Sequence, residues 1–195
     1  MSPNDDDKVV LLDETGRPVG TAPKSRVHGT ETPLHLAFSC YVLDGIGRVM
    51  VTRRALTKRT WPGVWSNSFC GHPRPGEPVI DAVRRHAKHE LGLVLVNVKI
   101  VLPVFRYRAT DAAGVVENEI CPVYIALAAS VVHANPDEVM EHAWIEPHDL
   151  GEAIRLTPNV FSPWLVQQAE LLPLLGGSGS SRWDADYDNS VEEAK

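Results

Sequence analysis

Cysteine is scarce in this sequence, which has three cysteines in 195 residues: Cys40, Cys70 and Cys121. They are too few and too widely spaced for a disulfide framework or for the paired CxxC motifs of structural zinc sites. Long apolar runs are also lacking, since none approaches the roughly 18 residues that a transmembrane helix needs. The sequence therefore predicts no membrane span, and it leaves each cysteine as either a core thiol or a working thiol.

Positive charge is in short supply as well. The chain has 19 Lys and Arg against 25 Asp and Glu, which gives a formal net charge of -6. This balance argues against a general nucleic-acid-binding protein, so we expect a small-molecule partner and no nucleic acid. The N-terminus, MSPNDDDKVV, is acidic and lacks the basic and apolar regions of a signal peptide, so a cytoplasmic protein is expected.

The length suits one domain with a sizeable core. Residues 176–195 combine a Gly/Ser run with five acidic and two basic residues, which predicts a disordered acidic tail. Residues 1–7 are predicted to be a flexible N-terminus. The folded domain is therefore expected over residues 8–175, and we expect it to be a monomer.

Most of the predicted domain has the pattern of β-strands, with a hairpin at its start. Turn sequences at 44–47 and 111–114 separate several of the runs. The predicted strands are residues 8–12, 18–22, 34–43, 48–54, 94–108, 115–127 and 141–146.

The clearest helix is predicted over residues 78–91. Apolar residues recur there at helical spacing from Ile80 to Leu91, Pro78 suits an early helical position, and Gly92 can cap the end. Two more helices are predicted near residues 148–155 and 161–172. One helix among many strands, followed by helices, indicates a mixed α/β or α+β domain.

Histidines and carboxylates mark a candidate metal site. His28 and His35 flank Pro33, which makes a single helix through both unfavourable, and His72 follows Cys70 in the Gly/Pro-rich stretch NSFCGHPRPGE. Each histidine alone is more often a surface or hydrogen-bonded core residue.

Two glutamates change this weighing. Glu117 and Glu119 lie two apart in the strand-like run GVVENEICPVY, so both carboxylates project from one face and repel unless a cation or proton lies between them. The alternative is a solvated outer face of a sheet. Three histidines and two carboxylates would suit a manganese, zinc or magnesium ion, but spacing alone does not establish that they converge.

The predicted central helix and the loop before it resemble the Nudix box. Gly71, Glu77, Arg85 and the run from Glu90 to Leu93 have its spacing. Nudix hydrolases carry further glutamates where this chain has His86 and His89. Because imidazole does not replace hard anionic oxygen around magnesium, the resemblance implies a Nudix-like frame whose hydrolytic metal cluster is depleted.

Longer motifs resemble type I isopentenyl-diphosphate isomerases, a Nudix-fold branch that isomerises its substrate. These motifs are His28-x6-His35, TRRALTKRTWPGVWSNSFCGHP, FRYRAT, ENEICPVY and FSPW, and the resemblance covers about residues 8–172. It implies mixed β-sheets sandwiched by helices in a single domain. It also implies a metal-dependent, flavin-independent enzyme of isoprenoid biosynthesis that interconverts isopentenyl and dimethylallyl diphosphate through a tertiary carbocation.

The resemblance implies a role for particular residues. Cys70 and Glu119 match the family's catalytic thiol and carboxylate. Tyr107 matches a tyrosine that hydrogen-bonds within this acid–base group, and Trp164 matches an aromatic residue that faces the carbocation. The implied metal ligands are His28, His35, His72, Glu117 and Glu119. The sequence does not settle which of Cys70 and Glu119 donates the proton.

The diphosphate site is implied by the same resemblance. Glu90 matches a residue that positions a magnesium ion bound to the diphosphate. Basic residues precede and follow the first histidine, and Lys24, Arg54 and Lys58 are favoured as diphosphate contacts over Arg53 and Arg59. Some relatives have arginine where this chain has His86, so a direct contact from that helix position is in question.

Two further expectations concern residues without an implied catalytic or binding role. Trp61 and Trp65 are predicted to line the apolar part of the pocket, and Cys40 and Cys121 are predicted to be core thiols.

Two hypotheses compete with the isomerase. One is a Nudix hydrolase of a nucleoside diphosphate derivative, which would need carboxylates at positions 86 and 89, where this chain has histidines. The other is an inactive metal-binding module.

Overall fold

Two β-sheets and three main helices form the protein, and the computed structural model describes residues 8–179. The strands are β1 Lys8–Leu12, β2 Pro18–Pro23, β3 His35–Leu36, β4 Phe38–Leu43, β5 Val49–Arg54, β6 Trp65–Ser66, β7 Phe69–Gly71, β8 Leu95–Leu102, β9 Arg106–Thr110, β10 Val116–Ile120, β11 Val123–Ala128 and β12 Val139–Ile145. The helices are α1 Lys24–Val27, α2 Val79–Leu91, α3 Pro147–Leu156 and α4 Pro163–Ala169.

The smaller sheet has five strands in the order β2-β1-β3-β10-β9. The predicted hairpin of β1 and β2 forms its edge. Strand β10 lies between β3, to which it is parallel, and β9, to which it is antiparallel. Residues of β3 and β9 therefore flank each residue of β10, and this register builds the site described below.

The larger sheet has the order β12-β5-β4-β11-β8, with β6 paired to β5 and β7 paired to β4. Strand β4 is buried along its whole length. Its residues Phe38, Cys40 and Val42 pack against α2, while Tyr41 and Leu43 belong to the core beneath α3 and α4. Because both faces are covered, the strand is mostly apolar and shows no polar alternation; Ser39 is buried with the rest. The mixed α/β class is confirmed.

Three long strands predicted from the sequence are each two strands in the structure. The run 34–43 divides at Ala37, the run 94–108 at residues 103–105, and the run 115–127 at Cys121 and Pro122. In each case the first and second parts lie in different sheets. Proline has no amide hydrogen for a sheet ladder, and the chain changes sheets beside Pro103 and Pro122.

Helix α2 confirms the prediction for residues 78–91, with one correction at its start. Pro78 is extended (ψ 135°) and precedes the helix, which begins at Val79. Gly92 ends it in the left-handed conformation (φ 63°), and its amide donates to the Ala87 and Lys88 carbonyls. A side chain with a Cβ is strained at this φ, which explains glycine here. Helices α3 and α4 lie near the two other predicted segments.

Among residues 8–179, no helix is long and apolar enough to cross a membrane. The predicted flexible segment 1–7 and residues 180–195 of the predicted tail lie outside the described residues. Gly177 and Ser178, at the start of that predicted tail, donate backbone hydrogen bonds to Leu172 and Glu170. The predicted domain limits remain a prediction.

Candidate active site

A cavity of about 290 Å³ opens between the smaller sheet, the β7–α2 connection and the loop after β5. All of the sequence-predicted site residues except His35 line it, and His35 lies beneath it with no exposed surface. The lining is Lys24, Ser25, His28, Arg54, Lys58, Arg59, Thr60, Cys70, Gly71, His72, His86, Glu90, Tyr107, Glu117, Glu119 and Trp164. Its size is near the lower end of the range for small-molecule sites, so it suits a small ligand.

Strand pairing and two loops place four groups of the site around Glu119. His35 of β3 and Tyr107 of β9 are its two cross-strand neighbours. His28 caps α1, and the next residue, Gly29, pairs with Val116 of β10 through its backbone. His72 follows β7 of the larger sheet. Side chains from both sheets therefore meet at one carboxylate.

The three imidazoles and the Glu119 carboxylate form a compact cluster. One ligand atom from each of His28, His35, His72 and Glu119 lies within 4.8 Å of the others. Glu119 Oε1 is 3.1 Å from His72 Nε2 and 3.4 Å from His35 Nε2. Glu117 joins the edge of the cluster, with Oε2 2.9 Å from His28 Nε2. Glu117 and Glu119 are both buried, so the alternative of a solvated outer face is wrong.

The hydrogen-bond pattern of this cluster fits a bound cation. His35 Nδ1 lies 2.9 Å from the Pro33 carbonyl, which can only accept, so Nδ1 carries a hydrogen and Nε2 faces the cluster. His35 Nε2 and His72 Nε2 are 3.2 Å apart. His28 Nε2 and Glu117 Oε2 are buried and only 2.9 Å apart, yet neither atom has a hydrogen-bond partner in the described structure. Imidazole nitrogens and carboxylate oxygens that converge in this way are typical ligands of a divalent metal ion.

Donor separations are also consistent with one ion. Ligands at right angles on bonds of about 2.1 Å lie about 3 Å apart. The separations of 2.9 Å between His28 and Glu117 and 3.1 Å between His72 and Glu119 are close to this. The structure therefore has a His/Glu cluster able to bind a metal ion.

Burial and hydrogen bonds together set the charge of the cluster's members. Burial lowers the pKa of His72 to about 3, despite its hydrogen bond to Glu119. Burial and the neighbouring Glu119 carboxylate raise the pKa of Glu117. Burial acts to raise the pKa of Glu119, but hydrogen bonds from His35 and His72 outweigh it and hold that pKa well below its ordinary value. The cluster thus presents an anionic carboxylate and a neutral His72.

The Cys70 thiol lines the same cavity. Its sulfur lies 3.2 Å from Asn67 Oδ1 and 3.3 Å from Ser39 Oγ. Burial raises its pKa to about 12, against the effect of these two hydrogen bonds. Cys70 is therefore a thiol rather than a thiolate at neutral pH, and it can act as an acid–base group.

Tyr107 and Trp164 complete the reactive end of the cavity. Tyr107 donates a hydrogen bond of 2.8 Å to Glu119 Oε2 and lies 5.7 Å, centroid to centroid, from the Trp164 ring. The indole Nε1 donates to Asn67 Oδ1 and Ser66 Oγ. The Arg54 guanidinium lies 5.3 Å from the centre of the Trp164 ring, so this aromatic ring already accepts a cationic neighbour.

Glu90 lies at the other end of the cavity, on α2. His86 Nδ1 is 2.8 Å from its Oε1, and Lys58 Nζ is 3.7 Å from its Oε2. Burial acts to raise the pKa of Glu90, but the His86 hydrogen bond and the Lys58 charge outweigh it and bring that pKa to about 2. Glu90 is thus an anion, and His86 Nδ1 carries the hydrogen that it accepts.

The family model of the NUDIX domain matches residues 33–165. An isopentenyl-diphosphate Delta-isomerase of Agromyces mediolanus is 64% identical over 174 residues, covering 89% of this chain and 84% of the relative. That of Paenarthrobacter aurescens is 52% identical over 181 residues, covering 90% and 98%. The chain belongs to the isopentenyl-diphosphate Delta-isomerase family, of the NUDIX type.

Comparison with solved structures shows that this chain has the Nudix fold. A Deinococcus radiodurans protein superposes with a TM-score of 0.63 at 18% identity, over 83% of this chain and 96% of that one. A MutT protein of Methanosarcina mazei superposes with a TM-score of 0.57 at 18% identity, over 70% and 91%. The predicted Nudix-like fold and the predicted isomerase family are both confirmed.

The residues of the Nudix-like box differ in their surroundings. His86 is buried against Glu90, whereas His89 is largely exposed and lies 3.3 Å from Glu138. Glu77 and Arg85 form a bidentate ion pair, and Arg85 also donates to the His72 carbonyl. These two residues of the box therefore fix the loop that carries His72.

One detail differs from the sequence predictions. Trp61 and Trp65 do not line the cavity: Trp61 packs edge-on behind Trp164, at 5.4 Å between ring centroids, and Trp65 packs against the core. Gly71 leaves space for His86, since a Cβ there would lie 2.6 Å from the His86 ring. Cys40 and Cys121 are buried, as predicted.

Sequence reasoning missed the polar residues around the thiol and the cavity mouth. Asn67, Ser39 and Gln168 are fully buried near Cys70, and Ser25 and Thr60 line the cavity. The polar residues in the stretch WSNSFCG could have indicated a hydrogen-bonded network around Cys70, because buried polar side chains are nearly always hydrogen-bonded. Their partners lie far away in sequence, so their role required the fold.

Proposed function

We propose that this protein interconverts isopentenyl diphosphate and dimethylallyl diphosphate, as the names of its relatives indicate. The observation that carries the proposal is the placement of a protonated thiol, Cys70, and an anionic carboxylate, Glu119, on one small cavity with a basic mouth. Two titratable groups whose pKa values are shifted in opposite directions are suited to acid and base roles.

The reaction moves a carbon–carbon double bond by two proton transfers. Addition of a proton to the terminal methylene carbon of isopentenyl diphosphate gives a tertiary carbocation. Loss of a proton from the carbon next to the cation, on the diphosphate side, gives the dimethylallyl isomer. Protons balance overall, and no redox cofactor is required.

Cys70 and Glu119 are the proposed proton-transfer groups. Tyr107 holds one oxygen of Glu119 through its hydroxyl, which leaves the orientation of the carboxylate fixed. General acid–base groups of this kind contribute about 10²- to 10⁴-fold to rate. Trp164 is proposed to face the carbocation, where an aromatic ring stabilises positive charge by about 0.5–2 kcal/mol.

Lys24, Arg54 and Lys58 are the proposed contacts of the diphosphate. All three line the cavity, and Arg54 is held by hydrogen bonds to Thr60. Charge-assisted hydrogen bonds from such groups suit phosphate oxygens. Arg53 instead donates to the Gly63 carbonyl and pairs with Glu141, and it does not line the cavity.

Two metal sites are proposed. His28, His35, His72, Glu117 and Glu119 would hold one divalent ion (manganese, zinc or magnesium), and Glu90 would hold a magnesium ion together with the diphosphate. When bound, these ions supply positive charge that adjusts the acidity of Glu119 and offsets the charge of the diphosphate.

A reducing compartment suits this site. All three cysteines are unpaired, and the proposed chemistry needs a free Cys70 thiol. Thiols persist in the cytosol, where disulfides are rare. We therefore propose a cytoplasmic enzyme for isoprenoid biosynthesis, and we expect it to be a monomer, which size-exclusion chromatography with light scattering would check.

The experiment is a product assay of the purified protein with magnesium and isopentenyl diphosphate. The dimethylallyl isomer should form with both phosphates retained, as followed by phosphorus NMR and mass spectrometry. Release of phosphate from nucleoside diphosphate derivatives without isomerisation would favour the hydrolase instead. Neither activity, in protein that is folded and metal-loaded, would favour the binding module.

A further inference from the structure

Asn67 is a buried amide directly behind the thiol and the indole of the site. It lies between β6 and β7 with no exposed surface. Its Nδ2 donates to the carbonyls of Cys40, at 3.0 Å, and Phe69, at 2.8 Å. Because carbonyl oxygens only accept, these two bonds fix which way the amide points, and its Oδ1 must face the other side.

Three donors meet at this one oxygen. Asn67 Oδ1 accepts from Trp164 Nε1 at 2.9 Å, from the Cys70 thiol at 3.2 Å and from Ser66 Oγ at 2.9 Å. The indole and the thiol belong to elements that are far apart in sequence, α4 and β7. The single oxygen therefore sets the position of one relative to the other.

A second hydrogen-bond chain holds the sulfur from another direction. Tyr41 donates to Gln168 Oε1 at 2.8 Å, which fixes the Gln168 amide so that its Nε2 donates to Ser39 Oγ at 2.9 Å. Ser39 Oγ lies 3.3 Å from Cys70 Sγ and 3.4 Å from Cys121 Sγ. Because the Cys70 thiol donates its one hydrogen to Asn67, it can only accept from Ser39.

We propose that Asn67 is a positioning residue that aligns the Cys70 thiol with the Trp164 ring. This inference rests on the proposed isomerase function, in which the thiol acts at a carbon of the substrate and the ring faces the adjacent cation. Proton transfer to carbon requires the reacting atoms to be held at close range, and a shift of about 1 Å costs about 100-fold in rate. Asn67 acts through its two neighbours and does not line the cavity.

The test compares Asn67→Ala with Ser68→Ala as a matched control. Ser68 is equally buried and is also anchored to two backbone groups, Met50 O and Val42 N, but it has no hydrogen bond to Cys70 or Trp164. Asn67→Ala should lower kcat about 100-fold while KM and the inhibition constant of inorganic diphosphate change less than about threefold. Ser68→Ala should lower the melting temperature and keep kcat within about threefold.

A spectroscopic measurement accompanies the kinetics. The indole Nε1–H signal of Trp164, identified by its loss in Trp164→Phe, should be protected from solvent exchange in the wild type and in Ser68→Ala, and should exchange faster in Asn67→Ala. Unchanged kcat in Asn67→Ala, an equal loss in both variants, or rapid indole exchange in the wild type would each overturn the inference.

A further variant applies if Asn67→Ala does not fold. Ser66→Ala removes one of the two indole acceptors and leaves Asn67 in place. It should keep kcat within about threefold and retain indole protection, whereas a loss of about 100-fold in folded protein would assign the alignment to Ser66 instead. If the wild-type protein does not isomerise its substrate, the proposed function fails. If the wild type isomerises and Asn67→Ala does so equally well, only the positioning role fails.

Discussion

At the scale of single residues, the proposed chemistry depends on two titratable groups, Cys70 and Glu119, held in different environments. Burial raises the pKa of the Cys70 thiol to about 12, whereas hydrogen bonds from His35 and His72 outweigh burial and keep the pKa of Glu119 well below its usual range. At neutral pH the thiol is protonated and the carboxylate is charged. The same cavity can therefore offer a proton and accept one.

Replacement of Cys70 by alanine should lower kcat by about 100- to 10,000-fold, because the variant loses a proposed proton-transfer group. The control is Cys40→Ala, since Cys40 is a fully buried thiol on β4 that packs in the core beneath α2 and does not line the cavity. That variant should lose about 1 kcal/mol of stability and keep its turnover. Turnover in folded Cys70→Ala close to that of the wild type would remove Cys70 from the reaction.

At the scale of secondary-structure elements, the loop from Gly71 to Glu77 and helix α2 act together. Arg85 on α2 forms two hydrogen bonds with Glu77, of 2.8 and 2.6 Å, and donates a third to the His72 carbonyl. The Arg85 hydrogen bonds hold the pKa of Glu77 below its ordinary value of 4.5. This part of the Nudix box thus stabilises the loop on which His72 lies.

Glu77→Gln should lower the free energy of unfolding by about 1–2 kcal/mol near neutral pH, because it removes a charge-assisted pair. A lowered pKa in the folded state means that this contribution is complete above the unfolded pKa, 4.5, and is lost as the pH falls through the folded value. Denaturant unfolding of both proteins across this range should therefore show a difference that shrinks in acid.

The matched control for this pair is Glu152→Gln. Glu152 also pairs with an arginine, Arg155, through two hydrogen bonds, but on an exposed surface of α3. Exposed ion pairs contribute little, so this variant should unfold almost as the wild type does. A Glu77→Gln difference that is absent at neutral pH, or that grows in acid, would contradict the role given to the Glu77–Arg85 pair.

The same elements show what the sequence could and could not predict. Periodicity found helix α2 and the hairpin, because local spacing and Gly92 determine them. It merged β3 with β4 and β10 with β11, since an apolar run does not reveal that its two halves lie in different sheets. The Pro122 in the second run was a usable signal. Glu119, His35 and Tyr107 meet only through the register of three strands, which no local pattern contains.

At the scale of the whole molecule, the His/Glu cluster joins the two sheets. His35, Glu117 and Glu119 lie on the smaller sheet, whereas His72 follows β7 of the larger one. These residues converge only in the folded state, so an ion bound by them would link the two sheets there and not in the unfolded chain. It should therefore stabilise the fold as well as the site.

Addition of manganese or zinc to chelator-treated protein should raise the melting temperature. At a metal concentration 100 times the dissociation constant, binding adds about 2.7 kcal/mol to the free energy of unfolding. His72→Ala should lose most of this increase and hold less metal by elemental analysis. His148→Ala should behave as the wild type, because His148 is exposed on α3 and lies outside the cluster, with its ring 3.4 Å from Asp149. Equal metal content in both variants would contradict the proposed ligand set.

The central claim is that this cavity moves a proton onto and off a carbon skeleton while the diphosphate remains intact. The most direct measurement is turnover of isopentenyl diphosphate in deuterium oxide with magnesium, followed by mass spectrometry of the product. The account predicts dimethylallyl diphosphate that carries solvent deuterium in a methyl group, and no released phosphate. Phosphate release without the isomer, or an isomer formed equally well by Cys70→Ala, would contradict it.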